Sequence, residues 1–241
     1  LIQDREIEAA NYADVTLVVT KEDESWFETY AEKSDLMLVQ NGVRHLTCNN
    51  KIIAVVKEKI RSEKWVTYVA SAHPPNFYGF YQCVGDSLAS IPPDGKLVLA
   101  GSVSDHLEPY LKSSRMRFLN DSRLITFGRV ESDVLDTIVL NSHGILLPIS
   151  TGGGSNLKTA EALVSNKHIV GTTKAFRGYE SFLDMNGVTV ADSKSEFRAS
   201  IRKIFNSPKL SRSSSEISRV SQLYWENIFV SLIEYVQERL L

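Results

Sequence analysis

Short apolar runs that polar residues do not interrupt constrain the fold of this chain more than any other feature. The run "KLVLAG" at 96–101 is typical, and a segment with helical spacing follows most of the runs. A strand without polar alternation is buried on both faces, as in a parallel sheet that helices cover. The repetition therefore predicts an α/β protein with a doubly wound, Rossmann-like parallel sheet. The runs lie at 15–19, 36–39, 65–70, 96–101, 123–128, 144–149, 167–171 and 187–192.

Segments with helical periodicity lie between these strands. The predicted helices are 21–31, 50–62, 77–89, 104–112, 131–141, 156–165 and 193–205. The chain opens on "LIQDREIEAANYAD", which has the pattern of mid-helix and no initiator methionine, so we expect a piece of a longer protein. After a serine-rich linker at 211–215, one long amphipathic helix is predicted to pack on the sheet. Its apolar side carries Val220, Leu223, Tyr224, Ile228, Leu232 and Tyr235.

Composition and charge argue against several classes of protein. Hydrophobic residues make up 43% of the chain, which is enough for a sizeable core. A net charge of -2 gives no electrostatic case for binding nucleic acid. The basic segment "KEKIRSEK" (57–64) is interrupted by acids and is interpreted as a solvated helix face.

Cysteine usage and hydropathy indicate the compartment. Cys48 and Cys83 have no CxxC spacing and are interpreted as ordinary thiols in a reducing environment. No apolar run approaches the roughly 18 residues that cross a bilayer, and no signal peptide is visible. We therefore expect a cytoplasmic location.

A domain boundary is predicted at "VQNGVRH" (39–45), where a strand ends in the turn dipeptide Asn41-Gly42. Two strand–helix units precede this point and about six strands follow it. Residues 1–41 are interpreted as the tail of one α/β domain and 42–215 as a complete second one. Residues 216–241 would form a closing C-terminal helix.

The segment "PISTGGGSNLKTAEAL" (148–163) is the strongest candidate for a ligand site. Three consecutive glycines are costly to order, and a lysine in the first helical turn opposes the helix dipole. In a doubly wound sheet, ligands bind where strands end and helices begin. A phosphate at this point would accept backbone N–H groups and would turn Lys158 into a favourable partner.

Two side chains after the glycines are predicted to contact a ligand. Leu157, Ala160, Leu163 and Val164 form the apolar stripe of this helix on a helical wheel. Lys158 then lies away from the stripe, and Glu161 lies at its margin, where it could accept hydrogen bonds from a sugar diol. In the alternative, Lys158 and Glu161 only pair with each other and the glycines only make a tight turn.

Two better-known phosphate loops do not fit the segment. A Walker A loop reads GxxxxGK[ST], and "GGGSNLKT" (152–159) has Leu157 where a glycine is required. The dinucleotide fingerprint GxGxxG fails at the same residue. A P-loop-like phosphohydrolase stays open as a minor alternative.

With these segments in order, the chain resembles a GT-B glycosyltransferase of the retaining family 4 (glycosyl transferases group 1). The C-terminal donor-binding domain carries most of the resemblance, and a remnant of the N-terminal domain precedes it. "VQNGV" is similar to the family's interdomain crossover, and "WVTYVASAHPPNFYGF" to the first strand and loop of its C-terminal domain. "LVLAGSV" and "ITFGRVESDVLDTI" resemble the next two strands, and 145–180 resembles the strand, loop and helix that bind the donor.

The resemblance implies roles for particular residues. Glu161 matches the second glutamate of the family's E-x7-E motif, which binds the nucleotide ribose, and Lys158 faces the diphosphate; both are the catalytic candidates. The donor-binding candidates are Gly153, Gly154, Ser155, Asn156, Leu157 and Thr159 around the helix start, Gly128, Arg129 and Val130 beside the base, and His73 and Asn76 near the phosphates. For His73 the alternative is an ordinary loop residue, and Arg177 with Gly178 could either approach the donor sugar or close a turn.

The chain departs from the family pattern at three places. Gly153 stands where the first glutamate of E-x7-E belongs, and Ala70 replaces a common glycine. The usual Arg and Lys pair is absent from 71–80, so the chain resembles the subgroup with a glycine loop and a lysine instead.

The resemblance implies transfer of a sugar from a uridine or guanosine diphosphate sugar to an acceptor hydroxyl, with retention. It implies no metal and no cofactor, since the nucleotide sugar is a substrate. The acceptor, which could be a sugar, a lipid or another hydroxyl compound of polysaccharide biosynthesis, would bind through the missing N-terminal domain. Any peripheral membrane contact would belong to the complete protein. The main alternative is a non-catalytic, nucleotide-binding relative that acts as a scaffold.

Overall fold

The computed structural model describes residues 2–31, 35–151 and 156–240. Its strands are β1 (Val15–Val18), β2 (Asp35–Leu38), β3 (Lys64–Val69), β4 (Gly95–Ala100), β5 (Leu124–Gly128), β6 (Gly144–Leu147), β7 (His168–Gly171) and β8 (Val188–Val190). Its helices are α1 (Ile2–Tyr12), α2 (Lys21–Tyr30), α3 (Asn50–Ile60), α4 (Pro74–Cys83), α5 (Ser104–Ser113), α6 (Arg117–Arg123), α7 (Ser132–Asn141), α8 (Leu157–Val164), α9 (Lys194–Asn206), α10 (Ser214–Ser221), α11 (Trp225–Ile228) and α12 (Val230–Leu240).

All the strand pairs are parallel, and they form two sheets. β1 and β2 make a small sheet, while the large sheet has the order β5-β4-β3-β6-β7-β8. The chain runs outward from β3 to β5, returns to the other side of β3 at β6, and runs outward again. The direction of winding therefore reverses between β3 and β6, and at such a point a crevice opens beyond the carboxyl ends of the strands. The doubly wound α/β fold that the sequence predicts is confirmed.

The core lies on both faces of the large sheet, as the apolar runs require. On one face α4, α5 and α9 bury side chains such as Phe80, Leu107 and Phe197. On the other face, Leu163 of α8 packs among the residues that follow β7 and the start of the C-terminal segment. Trp65 of β3 is 1% exposed and packs with α3 and α7. None of the described helices combines the length and apolar composition that a bilayer-crossing helix needs.

Two predicted helix bounds are wrong for reasons visible in the backbone. α4 begins at Pro74, because proline fits the first helical position, where its missing N–H costs nothing. It ends at Cys83, because Gly85 adopts a left-handed φ of 79° and closes the helix end. The short helix α6 lies in a segment for which no helix was predicted.

The single long C-terminal helix is also wrong, because the segment is broken into α10, α11 and α12. The N–H of Val43 donates to the carbonyl of Leu223 (2.8 Å), and the N–H of Trp225 donates to the carbonyl of Val43 (3.2 Å). A continuous helix would use these backbone groups internally, so the break permits the bridge to Val43. Val220 and Leu223 are buried, as predicted.

The serine-rich segment before α10 is a helix start rather than a linker. Ser213 accepts from the N–H of Glu216, and the Glu216 side chain accepts from the N–H of Ser213, which completes a capping box. At the far end, the Tyr235 hydroxyl of α12 donates to Asp35 of β2 (2.9 Å). The C-terminal segment thus packs on the large sheet and returns to the small one.

A glycine at the end of β4 brings the strand ends close enough to form the crevice. Gly101 has a φ of 92°, and its N–H donates to the carbonyl of Gly128 (2.6 Å). A Cβ at Gly101 would lie 2.2 Å from the carbonyl oxygen of Ala70, which is inside contact distance. Gly128 has a φ of 62° but faces open space.

We predict that Gly101→Ala lowers the free energy of unfolding by about 3 kcal/mol, from a strained φ and a backbone clash. Gly128→Ala is the matched control, because it adds only the left-handed strain of about 1 kcal/mol. Urea unfolding of both variants at neutral pH measures the difference. Equal losses would show that the approach to Ala70 does not matter.

Candidate functional site

A cleft of about 470 Å³ opens at the carboxyl ends of the central strands, where the winding reverses. This volume is in the range of small-molecule sites, which is about 300–1,000 Å³. The cleft is lined by Val69, Ala70, Ser71, Gly101, Ser102, Arg129, Val130, Leu135, Lys158 and Glu161. The structure thus brings four of the predicted site residues to one surface: Arg129 and Val130 directly after β5, and Lys158 and Glu161 of α8.

The start of α8 is held firmly against the loop after β7. The Asn156 side-chain amide donates to the carbonyls of Lys174 (2.7 Å) and Ala175 (3.2 Å). The Thr159 hydroxyl donates to the carbonyl of Ala175 (2.5 Å), and the Thr159 N–H donates to the carbonyl of Asn156 (2.7 Å). The side chains of Asn156 and Thr159 therefore position the helix, and the Thr159 N–H is already occupied.

The apolar stripe of α8 differs from the predicted one. Leu157 is 44% exposed, whereas Thr159 and Ala162 are buried together with Ala160 and Leu163. The buried face of α8 is therefore turned about the helix axis relative to the predicted face. It includes Thr159, whose hydroxyl reaches the carbonyl of Ala175. Leu157 therefore lies at the surface beside Lys158.

Lys158 is held by an amide across the cleft. Its Nζ donates to Oδ1 of Asn76 (2.7 Å), in the first turn of α4. The amide nitrogen of Asn76 donates to the carbonyl (3.0 Å) and the hydroxyl (3.2 Å) of Ser71. Since a carbonyl can only accept, the amide is fixed with its oxygen toward Lys158. Burial lowers the pKa of Lys158, and the nearby charge of Glu161 opposes that shift.

Glu161 lies one turn further along α8, also in the cleft. Burial raises the pKa of its carboxyl, Arg44 and Lys158 oppose this shift, and Asp136 adds to it. Among the described residues, no ion pair joins Lys158 to Glu161 within 4.0 Å, since the lysine is engaged by Asn76. The arrangement does not match the alternative in which the two side chains only neutralise each other.

Sequence reasoning missed an ion pair behind Glu161. Arg44 donates two hydrogen bonds to Asp136 of α7, at 2.6 and 2.7 Å, and the N–H of Thr47 donates a third at 2.9 Å. The Asp136 side chain is 1% exposed. Burial pushes the pKa of Asp136 upward, but the hydrogen bonds from Arg44 and Thr47 outweigh it and hold the pKa below its ordinary value. The signal in the sequence was an acid inside the apolar run of "SDVLDTIVL" (132–140), because such a group needs a partner.

The other predicted residues fall in different places. Gly128 ends β5 beside the cleft. His73 is exposed at the position before α4, where its side chain makes no capping hydrogen bond, and it is outside the cleft lining. Gly153, Gly154 and Ser155 lie outside the described residues.

The loop after β7 reaches the small sheet. The side-chain amide of Gln40 donates to the carbonyl of Gly178 (3.0 Å), and the guanidinium of Arg177 lies 3.9 Å from the carboxylate of Glu22. These residues border a second hollow of about 210 Å³ at the start of α2. Gly178 has a φ of 81°, so it closes a turn here.

Comparison with known proteins finds structural likeness without sequence likeness. No protein-family model and no curated protein matches the chain. Among solved structures, Anabaena Alr3699/HepE in complex with UDP and glucose is 15% identical, with a TM-score of 0.73 over 95% of this chain and 65% of that chain. Sucrose-phosphate synthase from Thermosynechococcus elongatus is 16% identical, with a TM-score of 0.70 over 98% of this chain and 60% of that one.

A third match extends this pattern. WaaG, a glycosyltransferase involved in lipopolysaccharide biosynthesis, is 13% identical, with a TM-score of 0.57 over 88% of this chain and 56% of that one. The chain thus spans 56–65% of the length of these three structures. Its fold is that of the Rossmann-like domains of GT-B glycosyltransferases.

We predict that Arg44→Ala lowers the free energy of unfolding at pH 7 by about 2 kcal/mol, because it leaves the Asp136 carboxylate buried without its partner. The effect should be largest at neutral pH. The lowered pKa of Asp136 means that the pair stabilises the fold above pH 3.8, the ordinary value, and that this stabilisation is lost as the pH falls through the folded-state pKa.

Lys57→Ala is the control, because Lys57 pairs with Glu63 in solvent and such pairs contribute about 1 kcal/mol or less. Urea unfolding over a series of pH values measures both variants. A loss for Arg44→Ala that does not shrink in acid would contradict the role of Asp136.

Proposed function

We propose that this chain is the donor-binding part of a nucleotide-sugar-dependent glycosyltransferase of the retaining GT-B type, family 4. The observation that carries the proposal is the position of Lys158 and Glu161, which both line the cleft at the winding reversal. Within the described residues they form no ion pair with each other, because Lys158 is hydrogen-bonded to Asn76. A cation for a diphosphate and a carboxylate for a ribose are then both available. Solved structures of similar fold contain UDP and glucose or UDP-glucose, which supports this choice of ligand.

The diphosphate would bind at the start of α8. The first N–H groups of a helix and the positive end of its dipole favour an anion. Lys158 is partly desolvated, and the one hydrogen bond that its side chain makes within the described residues is to a neutral amide. A diphosphate would supply the missing negative charge, and the same contacts would stabilise the charge that develops on the leaving group during transfer.

The ribose would bind to Glu161. A carboxylate can accept hydrogen bonds from both hydroxyls of a diol, each contributing about 1.5–3 kcal/mol because the acceptor is charged. Among the described residues, no hydrogen-bond donor engages this carboxylate. Ribose hydroxyls would donate to these carboxylate oxygens.

The nucleobase would lie beside the end of β5. Arg129 and Val130 line the cleft, and the missing side chain of Gly128 leaves open space next to them. A planar base could approach this backbone closely and be read by its N–H and C=O groups. These backbone groups would select the base. We propose uracil, so that UDP is the nucleotide part of the donor.

The acceptor and most of the first domain would lie outside this chain. We propose that residues 1–41 are the end of an acceptor-binding domain, that 42–215 bind the donor, and that 216–241 close the molecule. The chain by itself would then bind a cytoplasmic nucleotide sugar and transfer the sugar poorly. The hydroxyl acceptor of a polysaccharide pathway would bind only to the complete protein.

One observation favours a second candidate, a non-catalytic donor-binding scaffold. Gly153 stands where the family has the first glutamate of its E-x7-E motif. A scaffold would bind UDP through Lys158 and Glu161 but would show no turnover in the complete protein. Turnover that Lys158→Ala or Glu161→Ala reduces by orders of magnitude would identify an enzyme.

We predict that the chain binds UDP and that Lys158→Met weakens this binding by about 10- to 100-fold, because a charged hydrogen bond to phosphate is lost. Uridine, which has no phosphate, should bind the variant as it binds the original chain. Calorimetric titration measures both ligands. Lys51→Met, which removes an exposed lysine on α3, is the control and should leave UDP binding unchanged.

The role of Glu161 has a separate test. The original chain should prefer UDP to 2′-deoxy-UDP, and Glu161→Gln should remove most of that preference, since the amide loses the charge that both hydroxyls bind. Absence of any UDP binding to the original chain would end the proposal. An unchanged preference in the variant would contradict the ribose contact alone.

We predict that Asn76 positions Lys158. Asn76→Asp should weaken UDP binding more than Asn76→Ala does, because a carboxylate would pair with Lys158 and repel the diphosphate, whereas alanine only releases the lysine. Uridine binding should not change in either variant, and thermal unfolding checks that both are folded. Equal affinities of the two variants for UDP would argue against a direct contact with Lys158.

A further inference from the structure

A third hollow, larger than the donor cleft, lies at the opposite edge of the large sheet. Its volume is about 560 Å³, and it opens between the first residues of β7 and β8, the end of α9 and the segment 207–211. Lys203, Lys209 and His168 are among its lining residues, and none of the described lining residues is acidic. We call it the basic hollow. A local excess of positive charge stands out in a chain whose net charge is -2.

Side-chain hydrogen bonds fix one wall of the basic hollow, the segment 207–211. The ring nitrogen Nε2 of His168 donates to the carbonyl of Pro208 (2.9 Å), and Nε2 of His143 donates to the carbonyl of Ser207 (2.9 Å). The Asn186 side-chain amide donates to the carbonyl of Ser211 (3.2 Å). Three side chains from the sheet and its loops therefore hold the segment 207–211 in place.

The two lysines of the basic hollow lack an acidic partner among the described residues. Neither Lys203 nor Lys209 makes an ion pair or a side-chain hydrogen bond with any residue in the described ranges. Lys167, next to His168, has its pKa lowered by burial and by the charge of Lys209. The pKa of His143 is lowered first by burial, and the charged groups that act on it (His168, Lys64 and Lys209) are all basic.

Two acids adjoin lining residues of the basic hollow, and both make contacts of their own. The carboxylate of Glu216 accepts from the N–H groups of Asn186 (2.7 Å) and Ser213 (2.9 Å). Asp184 accepts from the guanidinium of Arg219 at 2.9 and 3.1 Å. Neither of these two carboxylates forms an ion pair with Lys203 or Lys209.

We propose that the basic hollow binds a phosphorylated small molecule, with its phosphate between Lys203 and Lys209. Phosphate oxygens form strong, charge-assisted hydrogen bonds with ammonium groups. The volume exceeds what a lone phosphate needs, and the hydroxyls of Thr189 and Ser200 line the remaining space with Val188. A sugar phosphate has that combination of a dianion and a polar body of moderate size. The inference does not depend on the proposed donor site.

The test uses glucose 6-phosphate, inorganic phosphate and glucose as probes, titrated by calorimetry. The background is Lys158→Met, so that the donor cleft contributes little phosphate binding. We expect glucose 6-phosphate to bind more tightly than phosphate, and glucose not to bind. Lys203→Met/Lys209→Met should raise the dissociation constant of glucose 6-phosphate by about tenfold or more, since both side chains are exposed and their loss leaves the fold intact.

Lys51→Met/Lys57→Met is the matched control, because it removes two exposed charges from α3, away from the basic hollow. The imidazole signals of His168 in a ¹H–¹³C NMR spectrum should shift with glucose 6-phosphate in the control and not in the test variant. Equal dissociation constants in the two double variants would overturn the proposal. So would binding of a long RNA without binding of glucose 6-phosphate.

The two proposals can fail separately. UDP binding is measured on Lys203→Met/Lys209→Met with Lys158 intact, and it should equal that of the original chain. Absence of UDP binding to the original chain would end the donor-site proposal and leave the basic hollow in place. Absence of glucose 6-phosphate binding to the original chain, with UDP binding retained, would end the basic-hollow proposal and leave the donor site in place.

Discussion

The parallel pairing of six strands, with the winding reversed between β3 and β6, is the constraint on which the rest of the structure depends. Parallel strands point all their carboxyl ends to one edge, and the reversal sends neighbouring connections to opposite sides. A crevice is left that the described part of the chain does not fill. Lys158 and Glu161 lie there because α8 follows β6, a strand at the reversal.

In the described part of the candidate site, two cations lie close to the carboxylate of Glu161 without forming an ion pair with it. Asn76 engages Lys158, and Asp136 engages Arg44, so neither cation is bonded to Glu161. Each contact is made with a group from another element: the neutral amide of Asn76 on α4 in one case and the carboxylate of Asp136 on α7 in the other. A preorganised site of this kind needs little rearrangement when a ligand with complementary charges arrives.

The sequence was sufficient for the strands and for the order of the helices, because buried apolar runs carry a strong local signal. It did not predict the breaks around α11, which depend on a backbone bridge to Val43 far away in the chain. The pair of Arg44 and Asp136 joins residues 92 positions apart, and no local pattern specifies such a partner. The inward turn of Thr159, which leaves Leu157 exposed, likewise depends on a loop that follows another strand.

The bridge between Val43 and Tyr224 has a mechanical consequence. Two passes of the chain run side by side between the sheets, one leaving β2 and the other leading into α12, and the ring of His45 stacks on Tyr224 at 3.8 Å. A single connecting segment could rotate freely about its own axis. Two segments that are hydrogen-bonded to each other restrict this rotation. The small sheet is therefore joined to the large one through two hydrogen-bonded passes of the chain, and the contacts of Gln40 with Gly178 and of Tyr235 with Asp35 add to this connection.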